Sequence, residues 1–282
     1  MDYTNYNPVS TLAWSAAALA ALIALWQYRR TLRLLGIVIV PDDSIGTVTK
    51  FFKLLGSHRE LPPGRIVALQ GEAGLQAGTL APGLHFFYWP WQYRVDLVKF
   101  TVIPDDAIGI IEACDGAPLP DGRVLAHPVD CDNFQDARAF LLSGQRGLQM
   151  SVIPPGSWRI NTLLFTVSVE RMTVIEPGTI GMVEARDGEP ISGGRVIGRA
   201  VGCDSFQDPA AFMRAGGQRG PQMNVVPQGK YRINPHLFKV TQVPVLDVPD
   251  NKVGIVTTRE GAPLATGEIA GPEVGGHNLY QD

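Results

Sequence analysis

Cysteine is scarce in this chain: its 282 residues hold three, Cys114, Cys131 and Cys203. Odd in number and widely spaced, they exclude a disulfide-stapled scaffold and the paired spacing of a zinc site, and they suit a reducing compartment. Charge is also sparse. Only 18% of residues are charged and the net is −3, with no Lys/Arg stripe able to neutralise several phosphates, so nucleic acid is not an expected partner. The five histidines (His58, His85, His127, His236, His277) stand apart and form no HExxH or other close ligand pair. There is no GxSxG elbow and no GxGxxG, and Gly229-Lys230 lacks the rest of a phosphate loop. No catalytic, cofactor-binding or metal-ligating residue is expected, and nothing indicates an enzyme.

What the chain does have is glycine and proline, 31 and 22 of them, above the usual share yet below the level of low-complexity disorder. With 45% hydrophobic residues it can bury real cores. A turn-rich, mainly β protein is expected, and long helical bundles are not.

The amino-terminal segment is different. Val9 to Trp26 carries no charge, and 18 residues at about 1.5 Å each reach roughly 27 Å, close to the hydrocarbon thickness of a bilayer. A transmembrane helix is expected, with Leu12, Trp14, Leu19, Leu22, Ile23, Leu25 and Trp26 among its membrane-spanning residues. Ala13, Ala17 and Ala21 give the small-xxx-small spacing of packed membrane helices. Arg29, Arg30 and Arg33 follow immediately, as topology and lipid-headgroup residues, whereas the leading tail has Asp2 and no Lys or Arg. The positive-inside rule then gives a single-pass protein of the plasma or inner membrane, its amino terminus outside and the remainder cytoplasmic. A cleaved signal peptide requires the reverse order of charges. Tyr28 to Arg65 nets +4 and the residues beyond net −6, so the basic zone adjoins the expected anionic leaflet.

The dominant signal is self-similarity. Pro104 to Val124 (PDDAIGIIEACDGAPLPDGRV) matches Glu176 to Val196 (EPGTIGMVEARDGEPISGGRV), and the stretch from Cys131 (CDNFQDARAF…SWRINTLLFTV) matches that from Cys203 (CDSFQDPAAF…KYRINPHLFKV). The offset is 72 residues at Phe134 and Phe206, and 73 at Asn161 and Asn234. A shorter copy precedes them (VPDDSIGTV, then GLQAGTLAPGLHFFYWPWQYRVDLV), lacking about ten residues that include the CDNFQDARAF segment. A further copy starts at Leu246 and reaches the FQD position as Tyr280-Gln281-Asp282, an end that reads as a truncation.

Each copy predicts small antiparallel strands between Pro/Gly turns, including a strand at GRVLA or GRVIG, and one short helix after Asp136 or Asp208. The expected domains are residues 1–35 (tail, membrane helix, basic segment), 36–100 (short first module), 101–172, 173–245, and 246–282 (incomplete fourth module). Asp130, Asp132 and Asp136 miss the EF-hand spacing and read as turn and cap residues. Cys131 and Cys203 read as small buried side chains. Arg146 and Arg219, in recurring Gln-Arg-Gly stretches, are candidates for contacts between modules or subunits, or for satisfying helix-end carbonyls. Phe86, Phe87, Trp89 and Trp91 are extra aromatics in the first copy, read either as core packing or as membrane-interface contacts.

A membrane segment followed by VPDDSIGTV and LAPGLHFFYWPWQYRVDLV resembles the SPFH superfamily (stomatin, prohibitin, flotillin; band 7), and the tandem VIPDDAIGII and TVIEPGTIGMV units resemble vault β-repeats. The chain lacks the long Ala/Glu-rich helix typical of SPFH members. The resemblance implies a homo-oligomeric ring, wall or cage that organises a membrane microdomain. Its implied partners are the bilayer, further copies of itself and other membrane proteins, without a cofactor. The alternative is a monomeric membrane-anchored binding module that recruits a soluble protein.

Overall fold

Alternating apolar residues between Pro/Gly turns dictate short strands, and the computed structural model builds a mainly β chain of small, largely antiparallel sheets with few short helices. It describes residues 8–26, 28–53, 61–272 and 275–276. Two helices lead, α1 (Pro8–Trp26) and α2 (Tyr28–Leu34). The first copy of the repeat then supplies β1 (Val38–Val40), β2 (Ser44–Lys50), β3 (Val67–Ala68), β4 (Gly74–Gln76), β5 (Gly83–His85) and β6 (Tyr93–Lys99). The second holds β7 (Thr101–Ile103), β8 (Ala107–Ala113), α3 (Ala137–Ser143), β9 (Gly147–Ile153), β10 (Gly156–Trp158) and β11 (Phe165–Arg171). The third holds β12 (Thr173–Ile175), β13 (Thr179–Ala185), α4 (Pro209–Arg214), β14 (Gly220–Val226), β15 (Gly229–Tyr231) and β16 (Phe238–Pro244).

One pairing scheme recurs. The short first strand pairs with a short late strand (β1 with β5, β7 with β10, β12 with β15), and the long second strand lies between two others (β4-β2-β6, β9-β8-β11, β14-β13-β16). A bulge interrupts β8 against β9 at Ile110/Glu112 and β13 against β14 at Met182/Glu184. The expected GRVLA and GRVIG strands do not form. Only single bridges, Ala126 to Gln149 and Gly198 to Gln222, mark the place where the first copy has β3 parallel to β4.

The helices begin where the sequence puts them. The Asp136 carboxylate accepts from the N–H groups of Arg138 and Ala139, and that of Asp208 from Ala211, capping α3 and α4. Just upstream, Asp132-Asn133-Phe134 and Asp204-Ser205-Phe206 each make a left-handed turn with φ between 50° and 66°. Such a run in non-glycine residues costs about 1–2 kcal/mol per residue. Burial of Phe134 and Phe206 at its end offsets that cost.

The chain divides into two compact units. One comprises Met1–Thr101 with Gln135–Leu141 and Trp158–Leu164, and the other Val102–Phe134, Leu142–Ser157 and Phe165–Asp282. In the first, Val38, Val40, Val48 and Leu80 form a core against Tyr88, Tyr93 and Val95. In the second, the rings of Phe206, Phe212 and Phe238 meet at 5.0–6.3 Å, together with Val183, Ala185, Ile233 and Leu237.

Two expectations need correction. Among the described residues no helix is long and apolar enough to cross a membrane. The expected transmembrane helix at α1 is therefore not supported. The strand expected at VGIVTT in the fourth copy is also not formed; Val253 and Ile255 are 93% and 95% exposed. The equivalent strands β8 and β13 are held by later strands of their own copy, and among the described residues the fourth copy has none.

Glycine recurs in the middle of the long second strand for a steric reason. A Cβ at Gly181 would lie 2.9 Å from both Ile175 Cδ1 and Val240 Cγ1. Gly181→Ala should destabilise by about 2 kcal/mol through overpacking, with Ile175→Val recovering part of the loss in the double variant. Urea unfolding measures both, and additive effects would contradict the steric account.

Candidate functional site

The polar chemistry concentrates where one copy of the repeat meets the next. Asn161, in the R-I-N stretch after β10, is completely buried. Its Nδ2 donates to the carbonyls of Gln76 (3.1 Å) and Ala77 (2.9 Å) at the end of β4, while Oδ1 accepts from the Leu163 N–H (3.0 Å). All these groups belong to the first unit. In the second unit Asn234 reproduces the arrangement, donating to Gln149 (3.2 Å) and Met150 (2.8 Å) on β9 and accepting from His236 N–H (2.9 Å). Each buried amide thus has both of its donors and its acceptor satisfied by backbone.

Glutamines shape the receiving segment. Gln76, Gln149 and Gln222 each donate Nε2 to the carbonyls four and two residues earlier, at 2.6–3.0 Å. Gln145 Oε1 accepts from His127 N–H and Gln218 Oε1 from Arg199 N–H, which ties in the irregular stretch after Gly-Arg-Val. Around the asparagine the contact is apolar. Helix α4 packs against β9, and Met150 and Leu125 of the second copy join the core of Phe206, Phe212 and Phe238 from the third.

An ion pair recurs alongside. Arg123 Nη1 meets Asp187 Oδ1 at 2.7 Å, and one repeat later Arg195 Nε meets Glu260 Oε1 at 2.8 Å. Asp187 is buried and also accepts from Gly188 N–H, leaving Oδ2 without a partner. Glu260 Oε2 accepts from the Val196 and Ile197 N–H groups. The hydrogen bond from Arg195, aided by those backbone donors, holds the Glu260 carboxyl below the usual carboxylate range.

The residues singled out from sequence fall in several separate places. Leu12, Trp14, Leu19, Leu22, Ile23 and Trp26 are all exposed, at 50–84%. The side chains of Leu25 and Arg29 lie outside those described. Arg30 and Arg33 border a cavity of about 240 Å³ with Leu32, Ile37, Ile39 and Leu97. Phe86, Phe87 and Trp91 are exposed, while Trp89 is half-buried, stacked on Trp91 at 5.0 Å and close against Gly36. Cys131 and Cys203 are buried, and burial pushes the Cys203 thiol up.

Arg146 and Arg219 are exposed, and their backbone N–H groups bond to the Ala117 and Glu189 carbonyls of their own copies. Among the described residues no group of three His, Cys, Asp or Glu is placed to hold a metal ion. Sequence reasoning passed over Asn161, Asn234 and the Arg/Asp pair. The available signal was recurrence of a polar residue inside an otherwise apolar stretch (RIN) and of G-R-V with D/E-G one copy later. Comparison with protein-family models and with curated proteins finds no match to this chain.

Asn234→Ala should cost about 3 kcal/mol in urea unfolding, because two buried carbonyls and the His236 N–H lose their partner; a loss under about 0.5 kcal/mol would mark the amide as incidental. Glu260 stabilises its contact above the ordinary carboxylate pKa and loses this as pH falls through its lowered value. Amide exchange in residues 246–272, corrected for intrinsic rate, should therefore rise on strong acidification, and pH-independent exchange would contradict the pairing.

Proposed function

We propose that this chain is a membrane-attached, homo-oligomeric scaffold, its repeats facing the cytoplasm. The observation that carries the reading is α1: an uncharged helix with the large apolar side chains of Leu12, Trp14, Leu19, Leu22, Ile23 and Trp26 exposed. Such a helix requires an apolar environment. The arginines at 29, 30 and 33 follow it directly in sequence and suit anionic headgroups, and the exposed Phe86, Phe87 and Trp91 add rings suited to an interface.

Self-association is supported by a periodic exposed side chain. Ile66, Val124, Val196 and Ile269, each two residues after a glycine, are 51%, 61%, 58% and 98% exposed. Identical apolar positions repeated along one chain favour association with an identical chain, since each further contact forms in effect within the complex. The SPFH-like and vault-like stretches point to the same class of protein.

Co-sedimentation with anionic vesicles and mass analysis in detergent test the proposal. The full chain should bind vesicles and run as oligomers; Trp14→Ser with Leu19→Ser and Ile23→Ser should lose vesicle binding by about tenfold or more, and Val124→Glu with Val196→Glu should give monomers. A monomer at every concentration would favour a recruiting module instead, and vesicle binding that survives the helix variant would remove α1 from the account.

A further inference from the structure

Within each unit, the face of one sheet is closed by the next copy of the repeat. The side chains on that face of the first copy, Ile45, Thr47 and Ala77, are 1–2% exposed, and their unit includes the helix segment Gln135–Leu141 and the Asn161 loop of the second copy. In the second copy Ile108, Ile110 and Met150 are 0–1% exposed, with α4 packed on β9 and Asn234 bonded across. The third copy presents the same face and it stands open. Met182, the counterpart of Ile110, is 53% exposed; Met223, the counterpart of Met150, is 53% exposed; and Val225 is 41% exposed. This holds with residues 245–272 in place. The carbonyls of Gln222 and Met223 occupy the positions that receive an asparagine amide in the first two copies, and among the described residues no asparagine amide reaches them. Gln222 Oε1 beneath them is buried without a partner.

The first copy shows what the clasp is for. Residues 1–36 hold no copy of the repeat for it to grip, and it lacks both halves of the device: the helix segment is missing, and Tyr88 stands where the others have Asn161 and Asn234. The helix and the asparagine are therefore parts with which a copy grips its predecessor.

We infer that the open face of the third copy is a docking site for one further half-repeat of the same kind, presenting a Phe-bearing, Asp-capped helix and an R-I-N loop. The occupant is set by complementarity already realised twice in the chain. An aromatic helix closes the apolar face, one amide satisfies two adjacent carbonyls, and an acidic residue one repeat later meets the Gly-Arg-Val arginine. The last of these contacts is already made by Glu260 with Arg195, so the register of the incoming segment is fixed. This inference depends on neither membrane attachment nor self-association.

The test extends the full chain after Asp282 with a second copy of its own residues Pro209 to Pro244, in repeat register with Tyr280-Gln281-Asp282. In a Cys114→Ser background, Met223→Cys reports access to the face through maleimide labelling, with Met150→Cys as the covered control. The expected result is rapid labelling at position 223 in the unextended chain and about 20-fold slower labelling in the extended one, as for sites that open only by local unfolding. Asn234→Ala in the appended copy alone should restore most of the rate. Equal labelling of the two chains, or an appended segment that gains no secondary structure by circular dichroism, would overturn the inference. Protection in the unextended chain that grows with protein concentration would also overturn it, assigning the face to a second copy.

Discussion

A buried asparagine with every hydrogen-bonding atom satisfied is the constraint on which the rest of this fold depends. The strand that receives it has an irregular segment, bulged in the second and third copies, and the carbonyls freed there must find donors, since an unpaired buried carbonyl costs about 1–3 kcal/mol. Their own sheet cannot supply those donors. The next copy can, through Asn161 or Asn234, and once the amide is in place the neighbouring helix is positioned over the apolar face. Polar necessity fixes the register, and apolar burial supplies most of the energy.

Assembly by nearest-neighbour contacts makes the copies interdependent rather than independently stable. A sheet of three seven-residue or shorter strands with one uncovered apolar face is marginal alone, and each copy borrows its cover from its successor. That is why the boundary between the two compact units runs through the second copy: its helix and asparagine loop belong with the first sheet, and its own sheet belongs with the third copy.

Local signals in the sequence were legible. Asp136 and Asp208 as helix caps, the Pro-Asp and Pro-Gly turns, and the strands on either side of those turns in the first three copies depend on residues a few positions apart, and these form where expected. The roles of Asn161 and Asn234 were not legible, because their partners lie 84 and 85 residues away, and no local pattern marks a carbonyl as needing a donor. The Gly-Arg-Val stretch looked like a strand, yet its arginine is committed to a carboxylate one repeat later and its backbone makes only a single bridge. For α1 the length of the uncharged run suggested a spanning helix, and the described residues do not support one. In the fourth copy the strand pattern is present, but among the described residues no later strand of that copy pairs with it.

Side-chain amide proton exchange by NMR tests the central claim most directly. If Asn161 and Asn234 hold successive copies together, their Nδ2 protons should exchange at least about 100-fold more slowly than those of exposed Asn133, opening only with the sheets they join. Exchange of the Asn161 and Asn234 protons as fast as that of Asn133, in an otherwise folded chain, would contradict it.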